Sequence, residues 1–393
     1  MRNILINILI SFFSIIGILL IIEFFLIKID YSQPHLSRYD YEVGVRHMES
    51  SQGFYIKESK KKISINRQGI RVPNNNKDFL YSKQKSSNIF RISVYGDSYT
   101  EGLQVSFHER FTHIMETELN KCKFKPKSNI EIINFGLSGT GQARQFLIQQ
   151  GWTKEFETDM ILNIAYMNDI RNNVKRLEMN DYLPYWKLSG NTVIQDNSFR
   201  ELASFKNKIK YSNLRMKIVN NFRFLQFLTQ GYEIYKKKVS QKDRQALRQK
   251  WKKKIPKTGS IYDGDDWIYG WNVFLNGLNY WNNVLENDGK KLFLASAHFK
   301  STSIPKKYSD NLNIPQINFD QLMEIESKKN GYFYFPVSEY MKNREEELSM
   351  DFNKHQYSDS GHYNSVGHKE WGLILSKRIC NHWKASSPQT LAK

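Results

Sequence analysis

Cysteine is nearly absent from this chain, with only Cys122 and Cys380 among 393 residues. That excludes a disulfide-built scaffold and any metal site made of four cysteines, and leaves open one bridge or two buried thiols. No pair of histidines has metal-ligand spacing, so neither a metal nor any other cofactor is expected. There is no internal repeat. Acid is also scarce: 39 Asp plus Glu face 58 Lys plus Arg, a formal net charge of +19. Such a charge suits a nucleic-acid binder, a membrane-surface protein or a handler of anionic polymers. With 40% hydrophobic and 25% charged residues, the chain has enough apolar material for a packed core and is not a disordered protein.

The charge is local. Residues 201–257 carry 17 Lys or Arg against Glu201, Glu233 and Asp243, a net +14, which leaves +5 for the rest of the chain. This stretch reads as a helical insertion, docked through Phe222, Phe224, Phe227, Tyr232 and Tyr235. It would guide an anionic polysaccharide or lie against phospholipid headgroups; the bland alternative is a solvated helical face. No nucleic-acid recognition motif accompanies it, so no specific nucleic-acid partner is expected.

The N-terminus is the least charged region. Residues 4–27 are apolar apart from Asn7, three hydroxyl or glycine positions and Glu23. At 1.5 Å per residue, a helix of that length spans a hydrocarbon core of about 30 Å. The flank Ile27-Lys28-Ile29-Asp30-Tyr31 has no small-residue cleavage pattern. Residues 1–28 are therefore expected to be an uncleaved, single-pass membrane anchor, with the domain that follows outside the cytoplasm. Residues 29–85 read as a polar linker and lead-in segment.

Further along, five short, nearly continuous apolar runs have strand length: Phe90 to Tyr95, Ile130 to Phe135, Met160 to Tyr166, Lys291 to Ala297 and Gly331 to Val337. Continuous rather than alternating runs suit parallel strands covered on both faces. Helix-period patterns separate them: Phe111, Ile114, Met115 and Leu119, then Trp271, Phe274, Leu278, Trp281 and Leu285, and last Trp371, Ile374, Leu375 and Ile379. The alternation predicts an α/β fold with a parallel sheet.

Ligands of such sheets bind beyond the carboxyl ends of the strands, so the loops there are where chemistry is expected. The first holds Gly96-Asp97-Ser98, the second Asn134-Phe135-Gly136-Leu137-Ser138-Gly139, the third Tyr166-Met167-Asn168-Asp169. Asp359-Ser360-Gly361-His362 precedes the last helix. Acyl transfer by serine needs a base, a carboxylate to orient it and donors for the oxyanion. Ser98 fits the nucleophile, His362 the base, Asp359 the carboxylate. The amides of Ser98 and Gly139 and the side chain of Asn168 fit the oxyanion hole. Asp97 and Asp169 read as turn or helix caps, His368 as a packing histidine, and His298 as a strand-end residue without a catalytic role.

These four blocks, in this order, closely resemble the SGNH subgroup of the GDSL hydrolase family. The resemblance covers about residues 86–388, apart from the basic insertion. It implies a flavodoxin-like three-layer α/β/α sandwich and ester hydrolysis or acyl transfer through Ser98. Two departures stand out: Met167 precedes Asn168 where the family commonly has glycine, and Gly136 competes with Gly139 for the oxyanion role, with spacing from Asn134 favouring Gly139. The α/β-hydrolase elbow G-x-S-x-G is excluded by Thr100, and G-x-x-G-x-G over Gly136, Gly139 and Gly141 is not a dinucleotide fingerprint.

The expected protein is thus a membrane-anchored serine esterase taking acyl, chiefly O-acetyl, groups from a cell-surface glycan. The same site could serve an acyltransferase acting on polysaccharide, or a phospholipase or thioesterase. A non-catalytic scaffold that binds anionic polymers is the competing class. No oligomeric state is encoded.

Overall fold

The computed structural model describes residues 2–236, 264–297, 304–358 and 361–387. It begins with a helix, Arg2–Lys28, whose apolar side chains are mostly exposed, Leu26 near its end being buried. Over Asn3–Lys28 it is long and apolar enough to cross a membrane. Near its end, the Glu23 carboxylate accepts hydrogen bonds from the backbone N–H of Arg223 (2.8 Å) and Phe224 (2.9 Å). Those amides open the helix over residues 223–236, where unpaired N–H groups and the positive end of the helix dipole favour a carboxylate.

The segment from 29 to 85 is folded. It carries β1 (Ser37–Asp40), β2 (Gly44–His47), β3 (Gln52–Tyr55), β4 (Lys61–Ile65) and β5 (Arg71–Val72). β1 pairs with β2, and β3-β4-β5 form a small antiparallel sheet. Val43, Ile63, Ile65, Ile70 and Val72 are buried, and Val43, Ile70 and Val72 join the main core. Burying a side chain of this size stabilises by about 1.5–3 kcal/mol, which is why a segment this polar still holds its place.

The main sheet has β6 (Ile89–Gly96), β7 (Asn129–Asn134) and β8 (Met160–Ala165). A hairpin, β9 (Tyr185–Ser189) with β10 (Thr192–Asp196), precedes β11 (Leu292–Ser296) and β12 (Phe333–Phe335). The order across the sheet is β7-β6-β8-β11-β12, and every neighbouring pair is parallel. This is the flavodoxin-like order, and all five strands fall where the apolar runs predicted them. Helices Phe111–Lys121 and Ser365–Ala385 cover one face, packing Phe111, Met115, Leu119, Trp371, Leu375 and Ile379 into one core. On the other face, helix Asp265–Asn287 buries Trp271, Phe274, Leu278, Trp281 and Leu285 completely. Cys122 and Cys380 form a disulfide, Cα–Cα 6.0 Å, between the two helices of the first face.

Between β8 and β11 the described part of the basic insertion is helical, including Ala203–Asn207 and Asn213–Asn221. Its docking differs from the sequence expectation. Phe222, Phe227, Tyr232 and Tyr235 are exposed, so they do not anchor it. Phe205 does, fully buried against Tyr39 and Tyr182, together with two asparagines, each pairing its side-chain amide with both backbone groups of a lead-in residue. Asn213 bonds Tyr39 N–H and C=O at 2.9 and 2.8 Å, and Asn220 bonds His35 at 2.7 and 2.9 Å. A backbone strand edge offers alternating donors and acceptors, which an amide matches and an aromatic ring cannot. The lysine-rich remainder of the insertion, 237–257, lies outside the described residues.

Candidate active site

In this strand order the crevice lies between β6 and β8, where successive connections leave the sheet in opposite directions. Ser98 opens the short helix Ser98–Glu101 directly after β6. Its N-cap Asp97 accepts a hydrogen bond from Tyr99 N–H at 2.9 Å, the capping role expected of it. Being first in the helix, Ser98 has a backbone N–H without an intrahelical acceptor. Gly96 is required behind it, because a Cβ there would collide with the Thr100 side chain.

His362 reaches this turn from the other end of the chain. Its Nε2 lies 2.7 Å from Ser98 Oγ. Its Nδ1 lies 2.7 Å from Glu58 Oε1, and its backbone N–H faces the same oxygen at 3.4 Å. A carboxylate on Nδ1 fixes the tautomer, so that Nε2 is the acceptor for the Ser98 hydroxyl. Burial lowers the basicity of His362, but the hydrogen bond and charge of Glu58, with Asp97 and Glu101 behind, raise its pKa above the ordinary value. Burial pushes Glu58 the other way, and the bond to His362 outweighs it, keeping the carboxyl below its ordinary value. Tyr99 supports the arrangement: its ring meets His362 edge-on at 5.0 Å, and its hydroxyl lies 3.0 Å from the Gly361 carbonyl.

Asp359 lies outside the described residues, as does His298. Glu58, at the tip of the β3–β4 hairpin, was not singled out from sequence. One signal was present: it is the sole acid between Glu49 and Asp78, inside the basic run Lys57-Glu58-Ser59-Lys60-Lys61-Lys62.

The two competing glycines separate in space. A Cβ on Gly136 would come within 2.6 Å of the Glu101 backbone nitrogen and 2.7 Å of the Thr100 carbonyl carbon, so this glycine lets the loop pack against the Ser98 turn. Gly139 has φ +68° and open space where a Cβ would stand. The loop between them is held by Glu101, whose carboxylate accepts from Ser138 N–H at 3.1 Å and from its hydroxyl. The other oxygen of Glu101 meets His47 Nε2 at 2.6 Å, and His47 Nδ1 meets the Gly69 carbonyl at 3.0 Å.

Asn168 follows β8 and precedes the short helix Asp169–Asn172. Its side chain lies against Asp97 and partly offsets the upward push of burial on that acid. Its Oδ1 is buried with no hydrogen-bond partner among the described residues. Asp169 is fully buried and pushed well above the carboxylate range by burial and by Asp97; it accepts from Tyr166 N–H at 3.1 Å and Gln142 Nε2 at 2.7 Å, tying the β8 loop back on itself. His368 is also fully buried, stacked on Phe111. Burial and the nearby Arg110 and Arg71 charges push it down to about 3, as suits a packing histidine. Among the described residues no His, Cys, Asp and Glu group could hold a metal ion.

No family model and no curated protein matches this chain. Solved structures similar to it include a member of the lipolytic protein G-D-S-L family from Veillonella parvula DSM 2008, at 9% identity over 73% of this chain and 97% of that one, TM-score 0.36. Another is the acetylxylan esterase Axe2 from Geobacillus stearothermophilus, at 10% over 77% and 96%, TM-score 0.36. A third is a lipase/acylhydrolase from Enterococcus faecalis, at 11% over 75% and 96%, TM-score 0.37. At such low identities and scores, the chemistry of this site rests on its own side chains.

Proposed function

We propose that this protein is a membrane-anchored serine esterase that removes acyl groups, acetyl foremost, from a glycan outside the cytoplasm. The observation that carries the reading is the 2.7 Å approach of Ser98 Oγ to His362 Nε2 at the β6–β8 crevice. In the first half-reaction Ser98 Oγ bonds to the acyl carbon while its proton passes to His362 Nε2. The negative oxygen that develops is held by the N–H groups of Ser98 and Gly139 and the side chain of Asn168. Collapse breaks the bond to the sugar oxygen, which leaves with the proton from His362. Water then attacks the acyl-serine, gives its proton to His362, and acetate departs as Ser98 recovers its own.

The open space at Gly139, against the packed surroundings of Gly136, supports Gly139 as the oxyanion residue. The apolar helix Asn3–Lys28 supports an anchor, and the Cys122–Cys380 bridge supports an oxidising compartment. The glycan as substrate follows from the family resemblance together with the anchor. The test uses the full-length protein in detergent, with p-nitrophenyl acetate and a panel of acetylated polysaccharides. Wild type should release acetate and react with a fluorophosphonate probe, and Ser98→Ala should do neither. Equal release by the two proteins overturns the reading. Acetate appearing on an added sugar instead of in solution identifies a transferase.

A further inference from the structure

We infer that Glu58, delivered by the lead-in segment from outside the sheet domain, is the positioning carboxylate of His362. This rests on the reading of Ser98 and His362 as nucleophile and base. Sequence alone pointed to Asp359, on the histidine's own loop, for the same task.

The geometry is that of an orienting acid. Glu58 Oε1 takes the Nδ1 side of the ring at 2.7 Å while Ser98 holds the Nε2 side at 2.7 Å. During attack, the proton of Ser98 moves to Nε2 and stays there; Glu58 keeps its charge and stabilises the imidazolium, with no second proton transfer.

Three further observations set Glu58 apart from a surface acid that happens to reach a histidine. First, its neighbours offered easier partners. Lys57 and Lys60 are exposed beside it, whereas Lys61 pairs with Glu109 at 2.9 Å and Lys62 with Asp30 at 3.7 Å. Glu58 turns away from all four and is buried, 7% exposed. A carboxylate in that position is costly unless a specific donor receives it.

Second, the hairpin tip is clamped on both sides of the residue. Tyr357 N–H donates to the Glu58 carbonyl at 3.0 Å, and the Ser59 hydroxyl donates to the Gln104 carbonyl. Third, Gly361 makes room for it. A Cβ at that position would collide with Glu58 Oε1 and lie 2.9 Å from its Cδ, so the residue before the histidine is glycine where the carboxylate passes.

The groups that face His362 are Glu58 from the hairpin, Asp97, Tyr99 and Glu101 from the Ser98 turn, and His355, whose Nε2 lies 2.6 Å from the His362 carbonyl. His368 stands behind, buried and neutral. Glu58 is the largest contributor among those that raise the pKa of His362. The base acts in its neutral form, so activity fails as pH falls through that raised pKa. Replacing Glu58 by a neutral residue must move this acid limb to lower pH.

The experiment compares full-length Glu58→Gln, Glu58→Asp, Asp359→Asn and Ser98→Ala on p-nitrophenyl acetate across pH, with thermal midpoints alongside. Glu58→Gln should lose about 10³–10⁴-fold in kcat with little change in KM, and its kcat/KM acid limb should shift down in pH. Glu58→Asp should recover part of the loss, and Asp359→Asn should stay within about tenfold of wild type. The inference is overturned if Glu58→Gln keeps wild-type kcat while Asp359→Asn loses it. It is equally overturned if Glu58→Gln loses activity with an unmoved acid limb and no recovery in Glu58→Asp, which marks a folding role. Wild-type rates in Ser98→Ala sink the esterase reading and this inference together; an inactive Ser98→Ala beside an unaffected Glu58→Gln sinks only this one.

Discussion

Two regions meet around Ser98, and they hold the groups of the proposed site by different means. On the sheet edge, each group sits one or a few residues beyond a buried parallel strand: Ser98 after β6, Gly139 after β7, Asn168 after β8. Their positions follow from backbone hydrogen bonding between strands whose side chains are buried on both faces. The lead-in segment has no strand longer than five residues. It holds its groups by side chain, through Glu58 to His362 and through His47 to Glu101 and so to the Ser138 loop. A sheet-borne group is therefore as rigid as the core, while a lead-in group is as rigid as the few contacts that clamp it. Damage to the first kind should appear in chemistry alone, and damage to the second kind in alignment.

The sharpest test on the sheet side is Asn168→Ala. On the proposed reading Asn168 is an oxyanion donor, and its loss should cost about 10²–10³-fold in kcat, with a thermal midpoint close to wild type, read by ester hydrolysis and a melting scan. A large drop in the midpoint with unchanged kcat would assign Asn168 to structure and blur the comparison. Next comes the disulfide, which ties the two helices of one face and touches neither functional region. Replacing both Cys122 and Cys380 by Ala should remove about 2–4 kcal/mol of stability and leave kcat unchanged, measured by denaturant unfolding beside the activity assay.

On the lead-in side, His47→Ala should cost kcat about tenfold by freeing Glu101 and the Ser138–Gly139 loop, an effect well below that of a lost donor. Unaltered kcat there means that the sheet loop needs no brace. The smallest effect concerns His368. Its folded pKa, about 3, lies below the unfolded value of about 6.5, so the unfolded chain binds more protons between those values. Stability should be full above about pH 6.5 and erode as pH falls toward 3. His368→Gln should flatten that erosion, seen in thermal midpoints taken across the pH range.

The fold could be read from the chain because each sheet strand is a continuous apolar run and each covering helix repeats at three and four. The places of Ser98, Gly139, Asn168 and His362 in the fold could be read for the same reason, each lying at a fixed offset from an element that declares itself. Glu58 was not. Its partner is 304 residues away, its strands are short and mostly polar, and a single acid among lysines reads as ordinary surface. The pairing of Cys122 with Cys380, 258 residues apart, was open for a similar reason: composition gives no distance. The insertion misled through Phe222, Phe227, Tyr232 and Tyr235, which suggested burial but stand exposed, while the docking is done by the buried Phe205 and by Asn213 and Asn220, the last two looking like solvent-facing polar groups until a backbone edge is placed beside them.

The packing of the lead-in segment also bears on where this protein can be cut. A fragment begun at residue 86, just ahead of β6, would keep the whole sheet, both covering layers, the bridge and Ser98. It would still label itself as an intact domain by its length and strand count. It would lack His47 and Glu58, and its histidine would lose the carboxylate that meets Nδ1. A version made for assay or for screening inhibitors should begin no later than Tyr31, just after the apolar helix Arg2–Lys28, or it will report the weakness of the cut rather than the activity of the proposed site.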